Sequence, residues 1–339
     1  MIKFDFCIGN PPYQEECKNT SDTPVYNSFM DGAYSVAKTV ELVHPARFLF
    51  NAGKTPKDWN RKMLNDPHFK ILSYEPISKN FFPNTDIKGG LAISFRDNFK
   101  VFGRIDCFTA YKELNSIMAK LKNFDYKSLN AIMYPTSAFS LNGKLFQDYP
   151  KLKGILSNLK IITTNIFDLL PNLFFDKKPD DSEEYCYLLG RQNNERVYKY
   201  IKLKYITVAD NYHKYKVILP NANGTGTLGE VLSTPIIGTP LTGYTQTFLS
   251  IGAFQTRNEA ENALKYVKTK FARILLGVLK VTQITPPGTW KYVPLQDFTE
   301  ASDINWNTTV HEIDLQLYKK YGLDKEEIDF IETHVRAME

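Results

Sequence analysis

Residues 4–16 read FDFCIGNPPYQEE, and the tetrapeptide Asn10-Pro11-Pro12-Tyr13 inside them decides how the rest of the chain is organised. Phe4 to Ile8 reads as a short buried strand, stopped by Gly9 and by two prolines that have no backbone N–H for a sheet ladder or a helix. A rigid turn directly after an apolar strand leaves backbone carbonyls without ladder partners. In an open α/β sheet, such a turn at the carboxyl end of a parallel strand lies where ligands bind.

The segments that follow extend this pattern. In 22–38, Tyr26, Phe29, Met30, Ala33, Tyr34 and Ala37 recur at helical spacing, with Thr23-Pro24 as cap and first position. Residues 40–50 (VELVHPARFLF) read as a strand running into a loop, and 55–66 as a short helix. FKILSYEP and GGLAISFRD are two further strands, joined by the loop ISKNFFPNTDIKGG. Strand, helix, strand, helix, strand predicts an α/β unit with a largely parallel sheet. The rhythm changes near Gly103, so the expected division is an α/β domain over 1–103 and a second α+β domain over 104–339. Residues 257–280 form an amphipathic helix with Ala260, Leu264, Val267, Phe271, Leu275 and Val278 on one stripe. Two closing helices follow, the last headed by the capping-box pattern Asp324-x-x-Glu327.

Composition narrows the function classes. The chain has 339 residues, is 43% hydrophobic and 23% charged, and carries a net charge of +5. This is a globular composition, with no apolar run near the roughly 20 residues of a membrane helix and no basic-then-apolar start, so the reading is a cytoplasmic protein without a membrane partner. Cys7, Cys17, Cys107 and Cys186 are scattered, and the five histidines show no metal spacing, so neither a disulfide framework nor a metal is expected. Charge is unevenly spread. Residues 196–216 hold six Lys or Arg against Asp210 alone, with five interleaved tyrosines.

The turn at 10–13 suits one chemistry. An exocyclic amino nitrogen on a purine is a poor nucleophile because its lone pair is delocalised into the ring. An enzyme that methylates it must offer acceptors to that nitrogen and hold the base against an aromatic ring. Asn10 has a side-chain oxygen, the Pro11 carbonyl is free of a ladder, and Tyr13 supplies a ring.

FDFCIGNPPYQ resembles the catalytic motif of S-adenosylmethionine-dependent amino methyltransferases, specifically the N6-adenine DNA methyltransferases of restriction-modification systems. The resemblance implies that the Asn10 side chain and Pro11 carbonyl hydrogen-bond the target amino group within a turn shaped by Pro12, and that Tyr13 stacks on a flipped adenine. The loop NFFPNTDIKGGLAISF is similar to a later motif of the family and implies Phe82, or else Phe81, on the base's other face. The expected fold is a partial Rossmann-like methyltransferase sheet, from its fourth strand onward, followed by a target-recognition domain for double-stranded DNA. Transfer would be direct, without covalent intermediate or metal.

The family's glycine-rich cofactor turn lies upstream of the catalytic motif, and nine residues precede Asn10. One Gly-x-Gly-x-x-Gly stretch occurs downstream, GTGTLG at 224–229, but Pro235 and Pro240 stand where its helix would run, so it reads as a turn or recognition loop. The expectation is that a partner chain or further segment carries the cofactor motif and pairs with the apolar edge at Phe4–Ile8.

For DNA, residues 197–206 read as a strand with Tyr198, Tyr200, Lys202 and Lys204 on one face; Lys214 and Lys216, then Lys265, Lys268 and Lys270, extend the footprint. The acidic stretch 178–185 (KPDDSEEY) has the acids of a nuclease cluster but no Glu-x-Lys, and reads as a solvated loop. Two other functions fit the turn: methylation of a protein glutamine amide or of RNA, and a DNA-recognition subunit without catalysis.

Overall fold

A computed structural model describes residues 4–15, 23–83, 86–156 and 160–338. Cys17 lies outside them. The protein is a mixed α/β chain with several sheets, and it divides into two compact units, Met1–Asn115 and Ser116–Glu339. The division falls beyond Gly103 because the chain after that residue still packs on the first unit. Ile105 donates its N–H to the Leu64 carbonyl at 2.9 Å, and the Phe108 ring sits edge-on to Phe50 and Tyr74.

In the first unit, β1 (Phe4–Gly9) is followed by the short strands β2 (Gln14–Glu15) and β3 (Thr23–Pro24), which pair with each other. Then come α1 (Tyr26–Val36), β4 (Ala37–Pro45), α2 (Lys57–Leu64), β5 (Phe69–Glu75) and β6 (Leu91–Asp97). Thr23-Pro24 is thus a strand pair, and Val25 is the N-cap of α1. The main sheet has the order β1-β4-β6-β5. Only β1 and β4 are parallel; β6 runs antiparallel to both β4 and β5, which corrects the largely parallel expectation. The 76–90 loop is a hairpin-like return, so the last two strands need no crossover helix.

The expectation of a buried first strand also fails. Among the described residues β1 pairs on one side only, and Phe4, Phe6 and Ile8 are 58%, 71% and 78% exposed. On the opposite face Cys7 packs against the core formed by Met30, Val40, Leu42, Phe48, Trp59, Met63 and Phe69. An apolar row on the edge of a parallel pair is unusual, since parallel strands are normally covered on both faces.

After α3 (Lys112–Leu121), which runs past the division, the second unit begins with β7 (Met133–Tyr134), β8 (Ser140–Leu141), α4 (Gly143–Asp148) and α5 (Ile166–Leu169). Its strands continue with β9 (Tyr185–Gln192), β10 (Glu195–Lys202), β11 (Ile206–Thr207), β12 (Tyr215–Pro220), β13 (Ile236–Gly238), β14 (Thr242–Tyr244) and β15 (Phe248–Phe254). The principal sheets are β13-β12-β15-β7 and β10-β9-β14.

The helix expected over 257–280 is two helices, α6 (Arg257–Lys268) and α7 (Lys270–Leu276). Thr269 breaks the run with extended backbone (ψ 149) and caps α7 by accepting from Ala272 N–H. The buried Asp314 carboxylate accepts the Lys270 and Phe271 N–H groups, both at 2.9 Å. That partner comes from α8 (Val310–Lys320), remote in sequence, so no local signal marked the break. α9 (Lys325–His334) opens with the expected Asp324–Glu327 capping box. No helix among the described residues is long and apolar enough to cross a membrane.

Candidate active site

β1 is in register with β4 up to Gly9↔Leu42, and there the prolines end the ladder. The turn is held from its far side as well. Tyr13 accepts the N–H of Val25 at 3.2 Å, and Gln14 and Glu15 pair with Pro24 and Thr23. Asn10 is therefore presented outward at the carboxyl end of the parallel pair, and it is exposed. The Pro11 carbonyl accepts no backbone hydrogen bond among the described residues. Tyr13 is half-buried, and its hydroxyl, withdrawn from solvent, has no hydrogen bond of ordinary geometry. Burial raises its pKa, while the adjacent Asn10 side chain acts in the opposite direction.

Beside the turn lies a cleft of about 740 Å³, lined by Pro12 and Tyr13, by Tyr26 at the head of α1, by Arg47 and Lys54 after β4, and by Asp86 and Lys88 before β6. It opens at the carboxyl edge of β1 and β4, the position at which open α/β sheets place ligands. The 76–90 loop is anchored by Ile87 N–H to Ser78 Oγ (2.8 Å) and by Ala46 N–H to the Gly90 carbonyl (3.0 Å).

The cleft wall is built on an aromatic cluster. Tyr26 lies parallel to His44, with 6.3 Å between ring centroids, and edge-on to Trp59. Burial pushes the Tyr26 hydroxyl up to about 12, against the hydrogen bond to Thr55 and the charge of Arg47. His44 is wholly buried; its Nδ1 is 3.1 Å from the Pro45 carbonyl and its Nε2 has no partner. Burial lowers its pKa from 6.5 to about 4, so the folded chain holds it neutral. A depressed folded-state pKa contributes stability above pH 6.5 that is lost as pH falls through 4, here about 3 kcal/mol. Urea unfolding of the first unit should weaken across that window. Replacing His44 by Leu should flatten the dependence; an unchanged slope would mean that His44 is not its source.

The other expected residues are distributed as follows. Phe81 and Phe82 donate their N–H groups to the Ser78 carbonyl at 3.0 and 2.9 Å; both are half-buried, and neither lines the cleft. In the second unit Tyr198 and Tyr200 share a face of β10, and Tyr187 of β9 stacks between them at 4.6 and 4.7 Å. Tyr187 was missed because it lies on a different strand, although the alternation Tyr185-Cys186-Tyr187 is a visible signal. Lys202 pairs with Asp181 at 3.7 Å and Glu183 at 3.2 Å; Lys204 also pairs with Glu183, from a 3-10 turn (Leu203–Tyr205) rather than from the strand. The 178–185 loop is thus tied down by these pairs.

Lys214 donates to Gln255 at 2.6 Å, Lys265 to the Trp306 carbonyl at 2.6 Å and Lys270 to Glu332 at 2.5 Å. Lys216 corrects the expected DNA footprint. It is fully buried on the interior strand β12, opposite Gly238, and donates to the Thr242 carbonyl at 3.2 Å. Desolvation lowers its pKa to about 8.

GTGTLG does form an anion-holding loop, but the chain fills it itself. Thr225 and Gly226 donate their N–H groups to the Glu230 carboxylate at 2.7 and 3.0 Å, and Lys280, buried to 3% exposure, pairs with the same carboxylate. The glycines are explained by crowding: a Cβ at Gly226 would lie 2.7 Å from Thr282 N, and Gly226 has φ +97.

Residues 1–82 match the Eco57I restriction-modification methylase family. Over 96 residues the chain is 29% identical to an uncharacterized adenine-specific methylase of Mycoplasma pneumoniae (strain ATCC 29342 / M129 / Subtype 1). The match covers 27% of this chain and 23% of that relative, so under a quarter of the relative's length is represented. Asn10–Tyr13 falls inside the segment that matches the family. Two solved structures are distantly similar. The type IIG restriction endonuclease BpuSI is 9% identical, with a TM-score of 0.32 over 93% of this chain and 48% of that one. A nuclease-deletion mutant of the Type ISP restriction-modification enzyme LlaGI, in complex with a DNA substrate mimic, is 10% identical, with a TM-score of 0.23 over 97% and 35%. Neither superposition is close enough to transfer a fold or a role.

Proposed function

We propose that this chain binds the target adenine and recognises the DNA in a site-specific N6-adenine DNA methyltransferase, with S-adenosylmethionine as the methyl donor. The observation that carries the reading is the outward-facing turn at Asn10–Tyr13, at the carboxyl end of a parallel strand, whose Pro12 and Tyr13 line a cleft that Asn10 and Pro11 adjoin in sequence, within the segment that matches a methylase family. In this reading the Asn10 side-chain oxygen and the Pro11 carbonyl accept the two hydrogens of the adenine amino group. Tyr13 stacks on the extruded base, returning roughly 1–3 kcal/mol against the few kcal/mol that extrusion costs. Phe82 or Phe81 is the proposed platform on the other face.

The described residues do not form the donor's glycine-rich cradle, since Glu230 occupies the one Gly-x-Gly-x-x-Gly loop. The reading therefore assigns the donor to a protein segment that docks on β1 and completes a Rossmann-like sheet. Support comes from the exposed row Phe4, Phe6 and Ile8 and from the outer edge of β1, which has no strand partner among the described residues. Titration with labelled S-adenosylmethionine, alone and with the product of the neighbouring reading frame, tests this. Binding and DNA methylation only in the mixture support it; tight binding by the chain alone overturns it.

The second unit is the proposed DNA reader, through the stacked Tyr187, Tyr198 and Tyr200. Replacing Tyr198 and Tyr200 together by Ala should weaken duplex binding by about 1–3 kcal/mol without changing its salt dependence. Replacing Lys202 and Lys204 should instead flatten the salt slope; fluorescence anisotropy across a salt series reads both, and an unchanged slope would remove these lysines from the footprint.

A further inference from the structure

Arg47 is built into the cleft in a way that the methylase motif does not explain. It opens the 3-10 turn after β4, is exposed, and its guanidinium makes no hydrogen bond or ion pair among the described residues. Its stem, by contrast, is tightly held. A Cβ at Gly89 would lie 2.5 Å from Arg47 Cγ, and one at Gly53 would lie 3.3 Å from Arg47 Cβ; both glycines have positive φ, +89 and +90. Two loops thus leave out their side chains where the arginine stem runs, which fixes the direction of a long side chain at low entropic cost. Among the described lining residues Lys88 joins Arg47 as a cation and Asp86 is acidic, and the Tyr13 ring stands at the same cleft. A cationic fork beside an aromatic platform matches a nucleotide: ring for base, guanidinium for phosphate.

We propose that Arg47 binds a backbone phosphate of the extruded target nucleotide and so positions the base at Asn10 and Tyr13. This inference rests on the adenine-binding reading above and adds to it the anchor for the sugar-phosphate. Arg47 is a binding residue here; it does not touch the amino group.

The test uses the full chain and three small probes: deoxyadenosine, deoxyadenosine 5′-monophosphate and deoxyadenosine 3′-monophosphate, titrated by NMR. One of the nucleotides should bind about tenfold more tightly than the nucleoside, the worth of one charge-assisted hydrogen bond. Arg47→Gln keeps the stem between Gly53 and Gly89 but removes the fork. It should bind all three probes alike, with nucleoside affinity unchanged, while Arg47→Lys keeps part of the preference. The arm that loses its advantage tells the 5′ phosphate from the 3′ phosphate. A nucleotide preference that survives in Arg47→Gln overturns the assignment and leaves the adenine site standing. Failure of the wild-type chain to bind any of the three overturns the adenine site, and Arg47 with it.

Discussion

Replacing Asn10 by Ala should lower methyl transfer by about 10²–10³-fold while DNA affinity stays within twofold of wild type. The asymmetry follows from where the side chain sits. Asn10 is exposed at the end of β1, and the turn is held by Tyr13, Gln14 and Glu15 against Val25, Pro24 and Thr23, so the fold does not depend on it. Its oxygen has work to do only when an amino nitrogen arrives beside it, and an acceptor that acts there affects the reaction more than binding. Rates under saturating DNA, read against an anisotropy titration of the same variant, separate the two quantities. A parallel loss of both would show that Asn10 holds the turn or the DNA rather than the reacting nitrogen.

Glu230→Ala should destabilise the second unit by about 3–5 kcal/mol, the cost of removing one member of a buried pair and leaving the other charged. Lys280 is buried to 3% exposure, and its remaining contact is the Asn223 carbonyl at 2.8 Å. The Thr225 and Gly226 N–H groups lose their acceptor at the same time. Adding Lys280→Met should recover most of the loss, because an apolar pair-replacement removes the stranded charge. Chemical denaturation of the single and double variants measures this. A loss below about 1 kcal/mol in Glu230→Ala would mean that water replaces the carboxylate and that the loop is open to other anions.

What could be read from the sequence was what local chemistry dictates. The end of β1 at Gly9 and the prolines, the helices around Met30 and Met63, and the capping box at Asp324 each depend on residues within a few positions of one another. The features that stayed hidden depend on distant partners. β6 enters antiparallel between β4 and β5, and neither strand's composition records that choice of neighbour. α7 starts where Asp314 supplies a carboxylate from α8. Lys216 looks like its neighbours Lys214 and Lys204, but its ammonium is drawn inward by two threonine carbonyls and by the space left at Gly238. Within the proposed site, Asn10 to Tyr13 could be picked out because the motif is contiguous. Arg47 was not, since the two glycines that hold its stem come from separate loops.

The central claim, that the turn at 10–13 receives an adenine of DNA, is tested most directly in the cell that makes the protein, where every partner is present. Asn10→Ala is introduced at the chromosomal locus, and N6-methyladenine is read across the genome by single-molecule sequencing. Methylation should disappear from one recognition sequence, with no change in any other modified base. Unaltered DNA methylation, with a methyl group lost instead from RNA or from a protein glutamine, would contradict it.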